Sequence, residues 1–176
     1  MESSVAELQL TVTSYIVLGL VAEAGEVTPY GLKTMAAEGV SELWPIQHAQ
    51  VYAQPERLAS AGYLIEHREA DGRRRRLYSL TERGREVLRD WLATPTNRLT
   101  ELRDHGLVRL FFGAHPGVLA EDQAEAHRRK LEEYEHRLEE ARPVLPAGRR
   151  LALEAGIEHE RVWVEFWTRL IAEPPA

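Results

Sequence analysis

A chain of 176 residues has room for one domain or two small ones, and its 44% hydrophobic content is ordinary for a globular protein. The absence of cysteine excludes disulfides, thiol catalysis and cysteine-based zinc sites. The net charge of −6 is evenly divided: residues 1–95 carry 10 basic and 13 acidic side chains, residues 96–176 carry 12 and 15. A nucleic-acid partner would therefore be met by a local patch rather than by the field of the whole molecule.

The first expected helix covers residues 13–23, with Thr11 or Thr13 as N-cap, and is apolar nearly all round (Ile16, Val17, Leu18, Leu20, Val21), as in a buried helix. Its longest apolar run, 15–22, is too short to span a bilayer, so no membrane partner is expected. The acidic start, with Glu2 and Glu7, lacks the basic region of a secretory signal and points to the cytoplasm. Thr28 and Pro29 cap and open a second helix over 29–38, ended by Gly39.

A third helix over 47–61 ends at Gly62, with Val51, Leu58 and Ala61 on its inner side. Strands follow over 63–68 and 77–80, joined by Glu69, Ala70, Asp71 and Gly72 and then by Arg73, Arg74, Arg75 and Arg76. Asp-Gly is a hairpin signal, which sets the four arginines at a hairpin tip. Thr81 caps a fourth helix with Val87, Leu88, Trp91 and Leu92 on its apolar face. Residues 94–97 read as a linker, giving a boundary between 1–95 and 96–176.

The second half reads as all-helical. Residues 99–112 form one amphipathic segment. Ala124, His127, Leu131, Tyr134, Leu138, Ala141 and Leu145 make a heptad-like seam, and a final helix covers 148–172.

Helix, basic hairpin, helix is the order of a winged helix-turn-helix, here with a two-stranded wing and an all-helical C-terminal domain, a mainly α fold. A glutamine pairs bidentately with adenine and an arginine with guanine, which makes the polar side of the third helix suited to base edges. The expected DNA-binding residues are Tyr30 and Lys33 on the second helix, Gln47, His48, Gln50, Gln54 and Arg57 on the third, and Arg73, Arg74, Arg75 and Arg76 in the wing. Tyr52 either donates to a phosphate or packs inside. The arginine tip supplies affinity to the backbone rather than sequence choice.

Trp163, Phe166, Trp167 and Leu170 form an apolar stripe on the last helix, expected at a dimer interface, at an effector site for a flat aromatic ligand, or at both. Glu133 and His136 have di-iron spacing, but no second Glu-x-x-His occurs, so no metal and no cofactor is expected. There is no Gly-rich phosphate loop, nucleophile elbow or HExxH helix, and hence no sign of an enzyme.

An ordered set of residues carries a family resemblance. It runs through Leu10 and Thr11, Ile16 to Leu20, Tyr30 to Leu32, and Leu43 and Trp44. It continues with Gln50 to Tyr52, Arg57 and Leu58, Gly62 to Leu64, and Tyr78 to Gly84. Beyond the linker it takes in Leu107 to Gly113, Gly156, Glu160, Arg161 and Trp167. The chain resembles PadR-type transcriptional regulators with a virulence-activator-like C-terminal domain. That resemblance implies a homodimer formed through the C-terminal helices and bound to a palindromic operator in double-stranded DNA. It further implies a repressor in most cases, with phenolic acids or flat lipophilic drugs as effectors of some relatives. It maps the recognition helix onto 47–61 and the wing onto 68–76. One departure stands out: the proline that usually follows the tyrosine is Ala53 here, and the leucine two residues further is Pro55. A helical proline loses one backbone bond, so the helix either bends near Val51 or becomes regular later. Two other readings stay open from sequence: a winged-helix protein-interaction module and a drug-sequestering protein.

Overall fold

The structure is a computed structural model that describes residues 8–68 and 75–173. Its contacts group into two units, 1–98 and 99–176.

In the first unit α1 (Val12–Ala24) starts at Thr11, whose hydroxyl accepts from the Ser14 N–H at 3.4 Å while Ser14 Oγ accepts from the Thr11 N–H at 3.1 Å. Ile16, Val17, Leu18, Leu20 and Val21 are all buried, which is what an all-round apolar helix requires. Gly25 turns the chain at φ 73° into β1 (Glu26–Val27), a two-residue strand absent from the sequence reading. Thr28 accepts from the Gly31 N–H at 3.0 Å, and Pro29 opens α2 (Pro29–Met35). The helix does not run to residue 38 as expected: it loosens into a π-type turn at Ala36–Val40, kinked at Gly39, before the single turn α3 (Ser41–Leu43).

The third expected helix is α4 (His48–Ser60). It runs through Pro55 without a break and is regular from its first turn. Pro55 itself is fully buried beside Val51 and Leu58, so the ring fills core space where its missing N–H leaves one helical bond unmade. Gly62 (φ 79°) reverses the chain into β2 (Leu64–Arg68), which pairs antiparallel with β3 (Arg76–Leu80). The sheet has the order β1-β3-β2, with Val27 opposite Tyr78 and Glu66 opposite Tyr78 on the other side. The fold is thus a winged helix-turn-helix with a third short strand behind the wing. Val17, Leu18, Val21, Leu32, Leu58, Tyr63, Tyr78, Leu80 and Leu88 share one core.

Helix α5 (Glu82–Ala93) is tied directly to the end of α4. Thr81 Oγ1 accepts from the Gly84 N–H at 2.9 Å and donates toward the carbonyls of Gly62 (2.8 Å) and Tyr63 (3.0 Å). Gly84 packs so closely on Tyr63 that a Cβ there would overlap the Tyr63 carbonyl oxygen.

In the second unit the expected segment 99–112 is helical only as α6 (His105–Phe111). Asp104 intercepts the chain, its Oδ1 accepting from the Leu107 N–H at 2.7 Å, and the residues before it are not helical. A 3₁₀ turn at Pro116–Val118 leads to α7 (Ala120–Ala141), and α8 (Ala147–Ala172) returns along it. The heptad-like seam of α7 faces α8 of the same chain: His127 Nδ1 lies 2.5 Å from Glu160 Oε2, and Tyr134 packs on Gly156. Among the described residues no helix is long and apolar enough to cross a membrane.

The Gly84 contact yields a prediction. Replacing Gly84 with alanine forces the α5–Tyr63 junction apart and destabilises the first unit by about 1–3 kcal/mol. A thermal melt reads this directly; an unchanged melting temperature would mean that the junction is loose.

Candidate nucleic-acid interface

Helix α4 divides cleanly into two sides. Val51, Gln54, Pro55 and Leu58, at steps of three and four, point into the core, whereas Gln47, Ala49, Gln50, Tyr52, Ala53, Glu56, Arg57 and Ser60 are exposed. Gln47, Gln50, Tyr52 and Arg57 therefore share the solvent side expected of them. Tyr52 is 44% exposed rather than packed inside. Gln54 does not belong to this set. It is 7% exposed, because the i+3 and i+7 steps from Val51 place it between Val51 and Leu58, and a buried amide has no edge to offer a base. The Gln50 amide is already used locally: its Oε1 accepts from the Gln47 N–H at 3.4 Å, at the start of the helix. His48 is the first residue of α4, and its side chain lies outside what the structure describes. On α2, Tyr30 is 69% exposed one residue after Pro29, and Lys33 is half-buried in the last turn.

The wing departs from a uniform basic tip. Glu69 to Arg74 lie outside the described residues, so Arg73 and Arg74 have no described position. Arg75 is exposed. Arg76 is the first residue of β3 and shares a strand face with Tyr78 and Leu80, the face that packs on the core. Its guanidinium consequently turns toward the body of the unit. Nη1 lies 3.3 Å from Glu56 Oε1 on α4, and Nε lies 3.7 Å from Glu66 Oε1 on β2. The Tyr78 hydroxyl donates to Glu66 Oε2 at 3.0 Å. Hydrogen bonding with Tyr78, then the charges of Glu66 and Glu56, raise the Arg76 pKa further above its ordinary value and keep it cationic. Burial pushes the Tyr78 phenol up, so it stays a neutral donor. The sequence reading counted Arg76 with the tip and missed Glu56 and Glu66. The period-2 pattern of Arg76, Tyr78 and Leu80 was the available signal.

A second group holds the C-terminal end of α4. Arg83 sits over the Tyr63 ring at 4.4 Å, donates to the Tyr63 hydroxyl at 3.1 Å and to the Ala61 carbonyl at 3.3 Å. The latter is one of the orphan acceptors at a helix end.

The aromatic stripe of α8 is folded into the second unit rather than laid open. Trp167 is 0% exposed among Leu119, Ala120 and Ala124, with Trp163, Phe166 and Leu170 partly buried around it. Small residues make the room: a Cβ on Gly106 would stand 2.9 Å from Trp167 Cζ2. Trp167 can give no surface to a second subunit, and its indole Nε1 is buried without a hydrogen-bond partner. Trp163 stacks on His127 at 5.7 Å and donates to His159 Nε2 at 2.9 Å. Among the described residues no group of three His, Asp or Glu side chains is placed to hold a metal ion.

Helices packed on a three-stranded antiparallel sheet, with a polar helix face beside a hairpin, make the first unit a winged helix-turn-helix. The comparisons agree. Residues 17–90 match the model of the transcriptional regulator PadR-like family, and residues 102–173 match that of the virulence activator alpha C-terminal domain. The negative transcriptional regulator PadR of Bacillus subtilis is 24% identical, over 93% of this chain and 97% of that one. The structure of that PadR with operator DNA superposes at a TM-score of 0.82 with 22% identity, over 94% of this chain and 98% of that one. Its complex with p-coumaric acid gives 0.77 and 22%, over 92% and 98%. The Vibrio cholerae virulence activator AphA gives 0.68 and 20%, over 91% and 96%. Residues 17–90 thus carry the features of a PadR-like domain and residues 102–173 those of a virulence-activator-type C-terminal domain.

Gly106 offers a check on the aromatic core. Gly106→Ala pushes on the Trp167 ring and costs the second unit about 1–3 kcal/mol. The expected result is a lower melting temperature together with altered tryptophan emission. Unperturbed emission would place Trp167 elsewhere.

Proposed function

We infer that this chain represses transcription from the cytoplasm as a homodimer. Each subunit lays α4 in a major groove of a palindromic operator, and a small aromatic ligand releases it. One observation carries the reading: Gln47, Gln50, Tyr52 and Arg57 lie on the exposed side of a helix whose other side is locked into the core beside a hairpin. Glutamine and arginine are the side chains that pair bidentately with adenine and guanine. A relative of the same fold has been solved with operator DNA, and the relative named a negative regulator supports repression.

Residues 1–95 are the DNA-binding part of this proposal, and residues 96–176 the part that dimerises and takes the effector. Val108 and Phe111 on α6, Phe112 just after it, and Val162 on α8 remain exposed and are apolar surface that a second copy would cover. The p-coumaric acid complex of a relative supports an aromatic effector. Trp163, Phe166 and Leu170, only partly buried, are the members of the stripe able to meet one, with Trp167 behind them.

Mobility-shift titration on the gene's own upstream region tests this. Gln50→Ala and Arg57→Ala each cost roughly 1–3 kcal/mol of discrimination against random DNA. Gln54→Ala lowers the melting temperature and changes discrimination far less. Equal loss for Gln54 and Gln50 would remove α4 as the reading helix. For the effector, p-coumaric acid should quench tryptophan emission and release the DNA; a flat titration would exclude that compound at a tryptophan-lined site.

A further inference from the structure

Glu56 is an unusual residue to find on the exposed side of a recognition helix. It stands one residue before Arg57 and one turn after Ala53, on the side that also carries Gln50. Its side chain is 62% exposed, against 44% for Arg76 and 28% for Glu66, so it is the outermost member of the cluster. A carboxylate there would face DNA phosphates as a like charge, and that repulsion is relieved only if something neutralises the carboxylate. Arg76 is the neutralising group at hand. Strand alternation turns it inward with Tyr78 and Leu80, and its guanidinium bridges Glu56 and Glu66. Glu66 is itself held by the Tyr78 hydroxyl, which fixes the inner end of the bridge. The cluster holds two carboxylates and one guanidinium, so removing the arginine leaves Glu56 without its cation on α4 and Glu66 with the Tyr78 hydroxyl alone. The pair is exposed and adds little to folding, which makes it open to substitution.

We propose that Glu56 and Arg76 form an electrostatic filter on DNA binding: Glu56 repels phosphate and holds down affinity for unspecific sequence, and Arg76 is a positioning residue that masks this carboxylate. This deepens, and rests on, the DNA-binding reading above. It separates Arg76 in function from the rest of the arginine run. In this proposal Arg76 acts through Glu56 rather than on the DNA backbone directly.

The test is a double-mutant cycle on the full-length protein. Affinity is measured over a salt series for a duplex carrying the gene's own upstream region and for a random duplex of equal length. Glu56→Gln should tighten binding to the random duplex by about three- to tenfold, and to the upstream duplex by less. Arg76→Met should cost roughly tenfold or more in the presence of Glu56 and no more than about twofold in the Glu56→Gln background. Arg76→Lys, which keeps the charge, should recover most of the loss. Melting temperatures of all variants should stay close to that of the parent chain.

Three results would overturn the proposal. An equal Arg76→Met loss in both backgrounds, with the salt slope flattened by about 0.9 each time, would make Arg76 an ordinary phosphate contact. Unchanged random-duplex affinity in Glu56→Gln would remove the repulsion. Weaker upstream-duplex binding by Glu56→Gln would make Glu56 a base reader. If the unaltered chain bound neither duplex, the DNA-binding reading would fail first and the filter with it.

Discussion

The Tyr63 carbonyl joins three elements that would otherwise be free to move against one another. It accepts from the Thr81 N–H at 3.2 Å and from the Thr81 hydroxyl at 3.0 Å, and Gly84 packs against it with no room for a side chain. Tyr63 follows the Gly62 turn at the end of α4 and precedes β2, while Thr81 ends the hairpin and caps α5. Helix, wing and α5 are therefore referred to one peptide group. Arg83 adds a second tie from the same turn of α5 to the last carbonyls of α4 and to the Tyr63 ring. A recognition helix is useful only if its exposed face is held in fixed relation to the wing, and this junction supplies that relation.

Electrostatics works on a finer scale than the composition suggests. A chain with net charge −6 gains nothing from its overall field at a DNA surface. What the structure offers instead is a polar helix face with Arg57 at one end, a wing with Arg75 exposed, and a compensated Glu56–Arg76–Glu66 bridge between them. Cations and carboxylates are arranged by element rather than averaged, and Arg76 is paired with Glu56 and Glu66.

Much of this was legible in the sequence because it rests on local rules. Thr11, Thr28 and Thr81 cap their helices, Pro29 opens one, and Gly62 closes another, each for a reason that acts within four residues. The features that escaped depend on longer-range neighbours. β1 is two residues long and exists because β3 offers it an edge. Gln54 looked like a base reader until the packing of Val51 and Leu58 fixed which side of α4 is inward. Within the α8 stripe, nothing local announces that Gly106, Ala120 and Ala124 leave a space of tryptophan size for Trp167. Arg76 was misplaced for the opposite reason: strand parity was readable, but a run of four identical residues concealed it.

The central claim is that the exposed side of α4 enters a major groove in each half of a symmetric site. Hydroxyl-radical footprinting on the gene's own upstream region tests it most directly. The account predicts two protected patches related by a dyad and about 10 base pairs apart, or a multiple of that spacing, with protection lost in Arg57→Ala. A single asymmetric patch, or uniform weak protection along the whole fragment, would contradict it.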